Sequence, residues 1–121
     1  MTPKKTLVIG ASENPNRYSN IAIDMLREFQ NPVVAIGKKT GKVNDVSFNK
    51  EKTYFENIDT ITLYLNPLNQ KEYYNYILDL NPKRIIFNPG TENDELEGLA
   101  KEKGIEVKEA CTLVLLRTGQ Y

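Results

Sequence analysis

The chain has 121 residues, of which 40% are hydrophobic and 26% charged, and its 16 basic side chains are balanced by 16 acidic ones. One domain over residues 1–121 is expected, since a chain of this length buries roughly two-thirds of its unfolded surface. A formal charge of zero is not expected of a protein that binds duplex nucleic acid. No apolar run approaches the roughly 20 residues that a membrane span needs, so neither nucleic acid nor a membrane is an expected partner.

The chain contains no histidine, and its one cysteine, Cys111, has no partner for an internal disulfide. Serine and cysteine hydrolase triads, phosphohistidine chemistry and most zinc sites need an imidazole, which excludes them here. The residues after Met1 lead directly into a predicted strand and do not have the pattern of a signal peptide. We therefore expect a soluble, cytoplasmic protein without a metal site.

Short apolar runs alternate with helical patterns in the first half of the chain. Residues 6–10 are typical of a strand buried on both faces, and residues 33–36 predict a second strand that ends at Gly37. Between them, residues 17–30 form a predicted helix with an apolar stripe at four-residue spacing. The stripe consists of Ile21, Met25 and Phe29, with Ala22 and Leu26 alongside. Residues 46–48 predict a short edge strand.

The second half continues the alternation. Residues 60–65, 84–88 and 105–107 predict strands. A helix is expected to begin near Asn69, and another is expected to be capped by Thr91. The inward-facing residues of these two helices are predicted to be Tyr73, Ile77, Leu80, Leu96, Leu99 and Ala100. Gly104 is placed where a left-handed helix end belongs, and the apolar residues 110–116 are expected to pack at the sheet edge.

This alternation with short connections predicts right-handed βαβ units. The expected fold class is α/β, with a Rossmann-like, doubly wound, mainly parallel sheet and helices on both faces. In such sheets, ligands bind beyond the carboxyl ends of the strands, where the strand order reverses. The residues that follow each strand are therefore the candidates for function.

The loop after the first strand has the composition of a phosphate-binding loop. Gly10 and Ala11 allow the backbone to approach a ligand closely, while Ser12 and Ser19 can donate hydrogen bonds. Arg17 has a planar guanidinium group that matches phosphate oxygens, and the predicted helix directs free amides at the loop. The alternative is an ordinary polar loop in which Ser19 serves only the start of the helix.

The sequence does not have the glycine pattern of a dinucleotide-binding protein, which needs glycine where this chain has Ser12 and Pro15. The second strand also ends without the acidic residue that accepts ribose hydroxyls in NAD-binding sheets. It is followed by Gly37, Lys38 and Lys39. Two ammonium groups suit a ribose that has its own phosphate, which favours coenzyme A or NADP over NAD or FAD. The alternative is a solvated surface pair.

Two further strand ends have an Asn-Pro step, at Asn66-Pro67 and at Asn88-Pro89-Gly90. Proline fixes the turn, and Gly90 lets the backbone lie close to a ligand. The alternative is that these residues only terminate strands. Cys111 stands among apolar residues, where a lone cysteine is usually a small buried hydrophobic residue, and no imidazole exists to activate it.

The opening of the chain resembles that of the small stand-alone CoA-binding domain proteins. The shared pattern is a strand ending in Val8-Ile9-Gly10-Ala11-Ser12, then Pro15, Arg17-Tyr18-Ser19 and the first helix. These proteins are similar to the CoA-binding domains of succinyl-CoA synthetase α subunits and ADP-forming acyl-CoA synthetases. The likeness continues through Asn88-Pro89-Gly90 to Cys111 and covers nearly the whole chain.

This resemblance implies non-catalytic binding of coenzyme A or an acyl-CoA. By position, Gly10, Ala11, Ser12, Arg17 and Ser19 would face the CoA phosphates, and both Asn-Pro turns would border the nucleotide and pantetheine. Many relatives end the second strand in Val-Asn-Pro, whereas this chain has Gly37-Lys38-Lys39. The two lysines would be suitable partners for the ribose 3′-phosphate. The larger synthetases also have a ligase domain and a phosphorylated histidine, which this sequence lacks, so the resemblance implies binding and not catalysis.

Two alternatives to a binding domain stay open. One is an enzyme, either an NADP-linked reductase or one that uses Cys111 in CoA-thiol chemistry. If Cys111 lies near the pantetheine end, it could also form a redox-sensitive mixed disulfide with CoA. The other alternative is an interaction subunit whose nucleotide cleft is vestigial and whose surface binds another protein. The sequence does not distinguish a homodimer from a complex with a partner subunit.

Overall fold

The computed structural model describes residues 2–121 and shows strands and helices that alternate along the chain. A short 3-10 turn, Lys71–Tyr73, separates the second and third helices. The elements in chain order are β1 (Thr6–Ala11), α1 (Tyr18–Glu28), β2 (Val33–Gly37), β3 (Gly41–Val43), β4 (Val46–Phe48), β5 (Thr60–Leu63), α2 (Pro67–Gln70), α3 (Tyr74–Leu80), β6 (Arg84–Phe87), α4 (Asp94–Glu102), β7 (Glu106–Glu109) and α5 (Thr112–Arg117).

Five strands form one sheet in the order β2-β1-β5-β6-β7, and each neighbouring pair is parallel. The chain moves from β1 to β2 on one side and then returns past β1 to β5 on the other. The strand order therefore reverses between β1 and β5, where sheets of this kind bind ligands. The Rossmann-like α/β fold predicted from the sequence is confirmed.

Helices cover both faces of the sheet, because alternate residues of the buried strands face opposite layers. α1 and α5 pack on one face, and α3 and α4 pack on the other. The first layer contains Val8, Ile23, Leu26, Ala35, Ile86, Leu115 and Leu116. The second layer contains Leu7, Ile9, Ile61, Leu63, Ile77, Ile85, Phe87, Leu96 and Ala100. Among the described residues, the longest helix is α1 with 11 residues, and none could cross a bilayer.

The buried face of α1 differs from the predicted apolar stripe. The helix buries Ser19, Asn20, Ala22, Ile23 and Leu26. Ala22 and Leu26 of the predicted face are buried, and Met25 is half-buried against the same layer. The prediction was wrong for Phe29, which lies beyond the end of the helix and is 44% exposed, and it missed Ile23. The apolar pattern did not reveal the whole inward face because two of its buried residues, Ser19 and Asn20, are polar. Both lie where α1 meets the first loop.

The predicted strand over residues 46–48 is present as β4, but it pairs antiparallel with β3, which was not predicted. A two-point ion pair holds this hairpin against α1, with Arg27 Nε 2.8 Å from Asp45 Oδ1 and Arg27 Nη2 2.9 Å from Asp45 Oδ2. The hydrogen bond from Arg27 lowers the pKa of Asp45. Val43, Val46 and Phe48 of the hairpin are buried in the layer that contains α1.

The helical segment expected near Asn69 begins two residues earlier, at Pro67. Asn66 caps it, because its Oδ1 accepts a hydrogen bond from the Asn69 amide at 2.9 Å. Proline suits this position, since the first amide of a helix has no intrahelical acceptor. Sequence spacing alone placed the start too late because it treated Asn69 as the cap.

Asn93, and not the predicted Thr91, caps α4. Its Oδ1 accepts a hydrogen bond from the Leu96 amide at 3.2 Å, and its Nδ2 donates to Gln70 Oε1 and to the Tyr74 hydroxyl, both at 2.8 Å. Thr91 instead donates from its hydroxyl to the Asn88 carbonyl oxygen at 2.8 Å. Asn93 therefore joins α4 to the segment that contains α2 and α3.

We expect Asn93→Ala to lower the free energy of unfolding by about 2–3 kcal/mol, because it removes a cap and leaves the buried Gln70 oxygen without its donor. The matched control is Asn75→Ala, on the exposed face of α3, which should change stability by about 0.5 kcal/mol at most. Urea unfolding followed by circular dichroism measures both. Equal effects of the two substitutions would contradict the assigned cap.

Candidate functional site

A small cleft of about 40 Å³ lies where the strand order reverses. We call it the switch-point cleft. The carboxyl ends of β1 and β2 form one side, and the chain after β5, including α2 and the 3-10 turn, forms the other. Its lining residues are Gly10, Ile36, Gly37, Lys38, Leu65, Asn69, Glu72 and Tyr73.

A larger, more open groove of about 370 Å³ lies beside this cleft. We call it the lysine groove, and it is lined by Lys38, Lys50, Lys52, Glu72 and Tyr73. Lys38, Glu72 and Tyr73 line both spaces. The two spaces are therefore contiguous and form one surface that runs from Gly10 to a cluster of three ammonium groups.

Two glycines are required where the strands approach one another at the cleft. Gly10 has a φ of 103°, and a Cβ atom on it would lie 2.9 Å from the Tyr64 carbonyl oxygen. A Cβ atom on Gly37 would lie 2.5 Å from the Ala11 carbonyl oxygen and 2.9 Å from the ring of Phe48. Any side chain at these positions would clash with backbone. Gly10, predicted to let a ligand approach the backbone, and Gly37, predicted as a binding residue at the end of the second strand, therefore both have a packing role.

The first loop is held by its own hydrogen bonds. Ser12 Oγ accepts from the Asn14 amide at 3.1 Å, and Asn14 Oδ1 accepts from the Asn16 amide at 3.0 Å. The Asn20 side chain donates to the Ser12 carbonyl oxygen at 3.0 Å. Glu13 Oε2 accepts from the Lys42 amide at 2.9 Å, which joins the loop to the hairpin. The Ser12 hydroxyl retains its proton for a further acceptor.

The start of α1 brings a cation and free amides to the same loop. Arg17 is exposed and is the residue before the helix, and its side chain makes no capping hydrogen bond. The first turn of α1 contains no acidic residue, and its leading amides have no intrahelical acceptor. The helix end is therefore electropositive and suited to an anion. Ser19, by contrast, is only 3% exposed and faces the protein interior.

The two lysines that follow β2 are placed differently. Lys38 lines both the switch-point cleft and the lysine groove, whereas Lys39 lines neither. Both residues are exposed. Ala11 is 7% exposed and lies in the core beneath the loop, so only its backbone is available to a ligand.

The two Asn-Pro turns have clear roles in the fold. Asn66 caps α2, and Pro67 is its first residue. Asn88 is 3% exposed, and its Nδ2 donates to Thr62 Oγ1 at 2.7 Å and to the Leu63 carbonyl oxygen at 2.9 Å. Its Oδ1 accepts from the Thr112 amide at 2.9 Å. The Asn88 side chain thus joins β5, β6 and α5, while a ligand contact at Pro89 or Gly90 stays a prediction.

Cys111 is a half-buried free thiol at the residue before α5. The side chain of Tyr64, which follows β5, has a buried hydroxyl without a hydrogen-bond partner among the described residues. Burial raises the pKa of the Tyr64 phenol. Neither side chain lines the switch-point cleft or the lysine groove.

Sequence reasoning missed several residues of this surface: Leu65, Asn69, Glu72, Tyr73, Lys50 and Lys52. Glu72 and Tyr73 belong to the 3-10 turn, which local patterns do not distinguish from a continuous helix. Lys50 and Lys52 follow β4 in a segment without regular periodicity. The only available signal was the density of lysines after β2 and β4.

One lysine of the groove, Lys52, contacts two of the other lining residues. Lys52 Nζ lies 3.8 Å from Glu72 Oε2 and 5.0 Å from the centre of the Tyr73 ring. Burial raises the pKa of Tyr73, and the neighbouring Glu72 carboxylate raises it further. Tyr73 therefore offers a neutral hydroxyl and an aromatic face at neutral pH.

Three carboxylates lie together at a distance from the cleft, on α4 and β7. Oxygens of Asp94, Glu97 and Glu109 are within 4.8 Å of one another. Burial raises the pKa of Glu97, and the neighbouring Glu109 carboxylate raises it further. Two of the three residues are exposed, and exposed acidic clusters are common without a metal, so we assign no metal site here.

Two Gly→Ala substitutions should have opposite effects on stability. Gly10→Ala should lower the free energy of unfolding by about 1–3 kcal/mol, because alanine disfavours its positive φ and clashes with Tyr64. Gly98→Ala, in the middle of α4 with no atom within 4 Å of the new Cβ, should raise it by about 0.5–1 kcal/mol. Thermal or urea unfolding measures both changes. A neutral Gly10→Ala would show that β1 and the chain after β5 do not approach as described.

The chain is similar to several solved structures over nearly its whole length. One, described as an uncharacterized protein, is 46% identical with a TM-score of 0.97 and full coverage of both chains. A hypothetical protein from Pyrococcus horikoshii OT3 is 24% identical with a TM-score of 0.86, covering 96% of this chain and 83% of that one. A Thermus thermophilus protein, cell-free ID.343, is 21% identical with a TM-score of 0.86, covering 98% and 91%.

No curated protein matches this chain. A family model described as a CoA binding domain matches residues 4–117. That match includes the first loop, the switch-point cleft and the lysine groove. Because it covers nearly the entire sequence, the chain belongs to the family of CoA-binding domain proteins.

Proposed function

We propose that this protein binds coenzyme A, free or as an acyl-CoA thioester, across the carboxyl ends of β1, β2 and β5. The observation that carries the proposal is the contiguity of the switch-point cleft with the lysine groove. A nucleotide whose diphosphate lies against Gly10 and the first loop can extend its ribose toward Lys38. Family membership supports the same ligand class.

The first loop would hold the diphosphate. Anions are stabilised at the start of α1, and Arg17 can add a charge-assisted hydrogen bond from either edge of its guanidinium group. Ser12 can donate its hydroxyl proton to a phosphate oxygen while it still accepts from the Asn14 amide. The contribution of Ser19 would come from its backbone amide, since its side chain is buried.

We propose a binding role and not a catalytic one. The residues that line the cleft and groove offer ammonium groups, an amide, a carboxylate and a phenol. These groups can hold and orient a nucleotide. The chain contains no histidine, so the imidazole chemistry of the larger CoA synthetases has no counterpart in its sequence.

Isothermal titration calorimetry with CoA and with AMP tests the proposal. We expect CoA to bind at least about tenfold more tightly than AMP, and Arg17→Ala to weaken CoA binding by about tenfold, because a charge-assisted hydrogen bond is lost. The control is Arg117→Ala, at the end of α5, which removes the same charge away from the cleft.

Two results would refute CoA binding: equal affinity for CoA and AMP with no effect of Arg17→Ala, or no rise in melting temperature at saturating CoA. Ligand at about 100 times its dissociation constant should stabilise the protein by roughly 2.7 kcal/mol. The absence of that shift would favour an interaction subunit with a vestigial cleft. Tighter binding of NADPH than of CoA would favour the reductase alternative.

The redox hypothesis for Cys111 has a separate test. Its thiolate would attack CoA disulfide, form a mixed disulfide with one CoA and release the other as a thiol. We expect one CoA adduct per chain by intact-mass analysis, reversed by a reducing agent and missing in Cys111→Ser. If wild-type protein gives no adduct after treatment with CoA disulfide, this role is excluded.

A further inference from the structure

We propose that Lys50 and Lys52, together with Lys38, select nucleotides that have a phosphomonoester on the ribose, such as CoA, over those that lack it, such as dephospho-CoA. This inference rests on the proposed function and assigns its specificity to a segment of the chain outside the first loop. Lys39, which the sequence pairs with Lys38, is not part of this subsite because it does not line the groove.

A backbone contact brings the three lysines together. Asn49 forms an isolated parallel bridge with Ile36, and the Gly37 amide donates to the Asn49 carbonyl oxygen at 3.0 Å. The chain after β4 therefore runs beside the end of β2. Lys50 and Lys52 follow directly from this contact and line the groove with Lys38.

A second contact fixes the far end of this segment. The Tyr76 hydroxyl on α3 donates to the Thr53 carbonyl oxygen. Burial raises the pKa of Tyr76 to about 12, so this donor stays protonated at neutral pH. Lys50 and Lys52 thus lie between two anchored points, Asn49 and Thr53, and their backbone positions are set by the fold.

The charges of the groove suit a dianion. The side chains that line the groove include three ammonium groups and one carboxylate, Glu72, so the lining has an excess of two positive charges. A phosphomonoester has a charge of about −1.5 to −2 at neutral pH. The Lys52–Glu72 pair does not prevent binding, because its side chains are 40% and 66% exposed and such pairs are weak.

The other two groups of the groove suit the rest of an adenosine. Glu72 can accept a hydrogen bond from a free ribose hydroxyl, as acidic residues do in other nucleotide-binding sheets. The Tyr73 ring lines the groove and can stack with a base. A ribose with one free hydroxyl and one phosphate can donate a hydrogen bond to the carboxylate and form ion pairs with the lysines. A ribose without the phosphate can form only the hydrogen bond.

Calorimetric titrations of CoA and dephospho-CoA into wild-type protein, Lys50→Gln/Lys52→Gln and Lys39→Gln test the inference. Wild type should prefer CoA by about tenfold, and the double variant should reduce this preference to about twofold while changing dephospho-CoA affinity little. Lys39→Gln should retain the preference. Lys83→Gln/Lys101→Gln removes two exposed charges outside the groove and controls for net charge. The preference should also fall between about 0.01 M and about 1 M salt.

Failure of the inference is distinguishable from failure of the proposed function. If wild type binds neither CoA nor dephospho-CoA, CoA binding itself is refuted. If it binds both with equal affinity, CoA binding stands and the phosphate selection is overturned. The inference is also overturned if Lys39→Gln, or the Lys83→Gln/Lys101→Gln control, removes the preference as fully as Lys50→Gln/Lys52→Gln. Circular dichroism of each variant verifies that it is folded.

Discussion

The close approach of three backbone segments at the ends of β1 and β2 is the constraint on which the site depends. Gly10 lies against the Tyr64 carbonyl, and Gly37 lies against both the Ala11 carbonyl and the Phe48 ring. Without side chains at these two positions, the end of β2 can accept the Asn49 bridge and the cleft can lie between β1 and the chain after β5. The hairpin, the cleft and the lysine groove are therefore consequences of the same tight packing.

The zero net charge of the chain conceals a strongly uneven distribution of charge. The start of α1 has Arg17 and no acidic residue in its first turn, and the nearby groove has three lysines against one carboxylate. Acidic residues instead gather on α4 and β7, at Asp94, Glu97 and Glu109. The net charge of the whole chain therefore carries no information about a local site for a small polyanion.

Local patterns were sufficient for the fold because buried parallel strands appear as short runs of apolar or β-branched residues, and β1, β2, β5 and β6 follow this rule. They also located Gly10, Gly37 and Lys38 at the cleft, since topology places ligands at strand ends. Lys50 and Lys52 could not be found in the same way, because a backbone bridge between segments distant in sequence brings them to the groove. Asn88 was predicted as a site residue, but its side chain joins three elements in the interior. An asparagine after a strand has the same sequence pattern in both roles, so the sequence could not distinguish them.

The first loop is ordered before any ligand binds. Hydrogen bonds within the loop, and the bond between Glu13 and the hairpin, fix its conformation. A loop that is already ordered loses little conformational entropy when a ligand binds. Little of the free energy gained from its contacts is therefore offset by ordering the loop. The hydrogen bond from the Lys42 amide to Glu13 also couples the loop to the hairpin. The affinity of different nucleotides would then depend on how well each fits this ordered loop. We expect the differences in affinity to lie mainly in the dissociation rate constants.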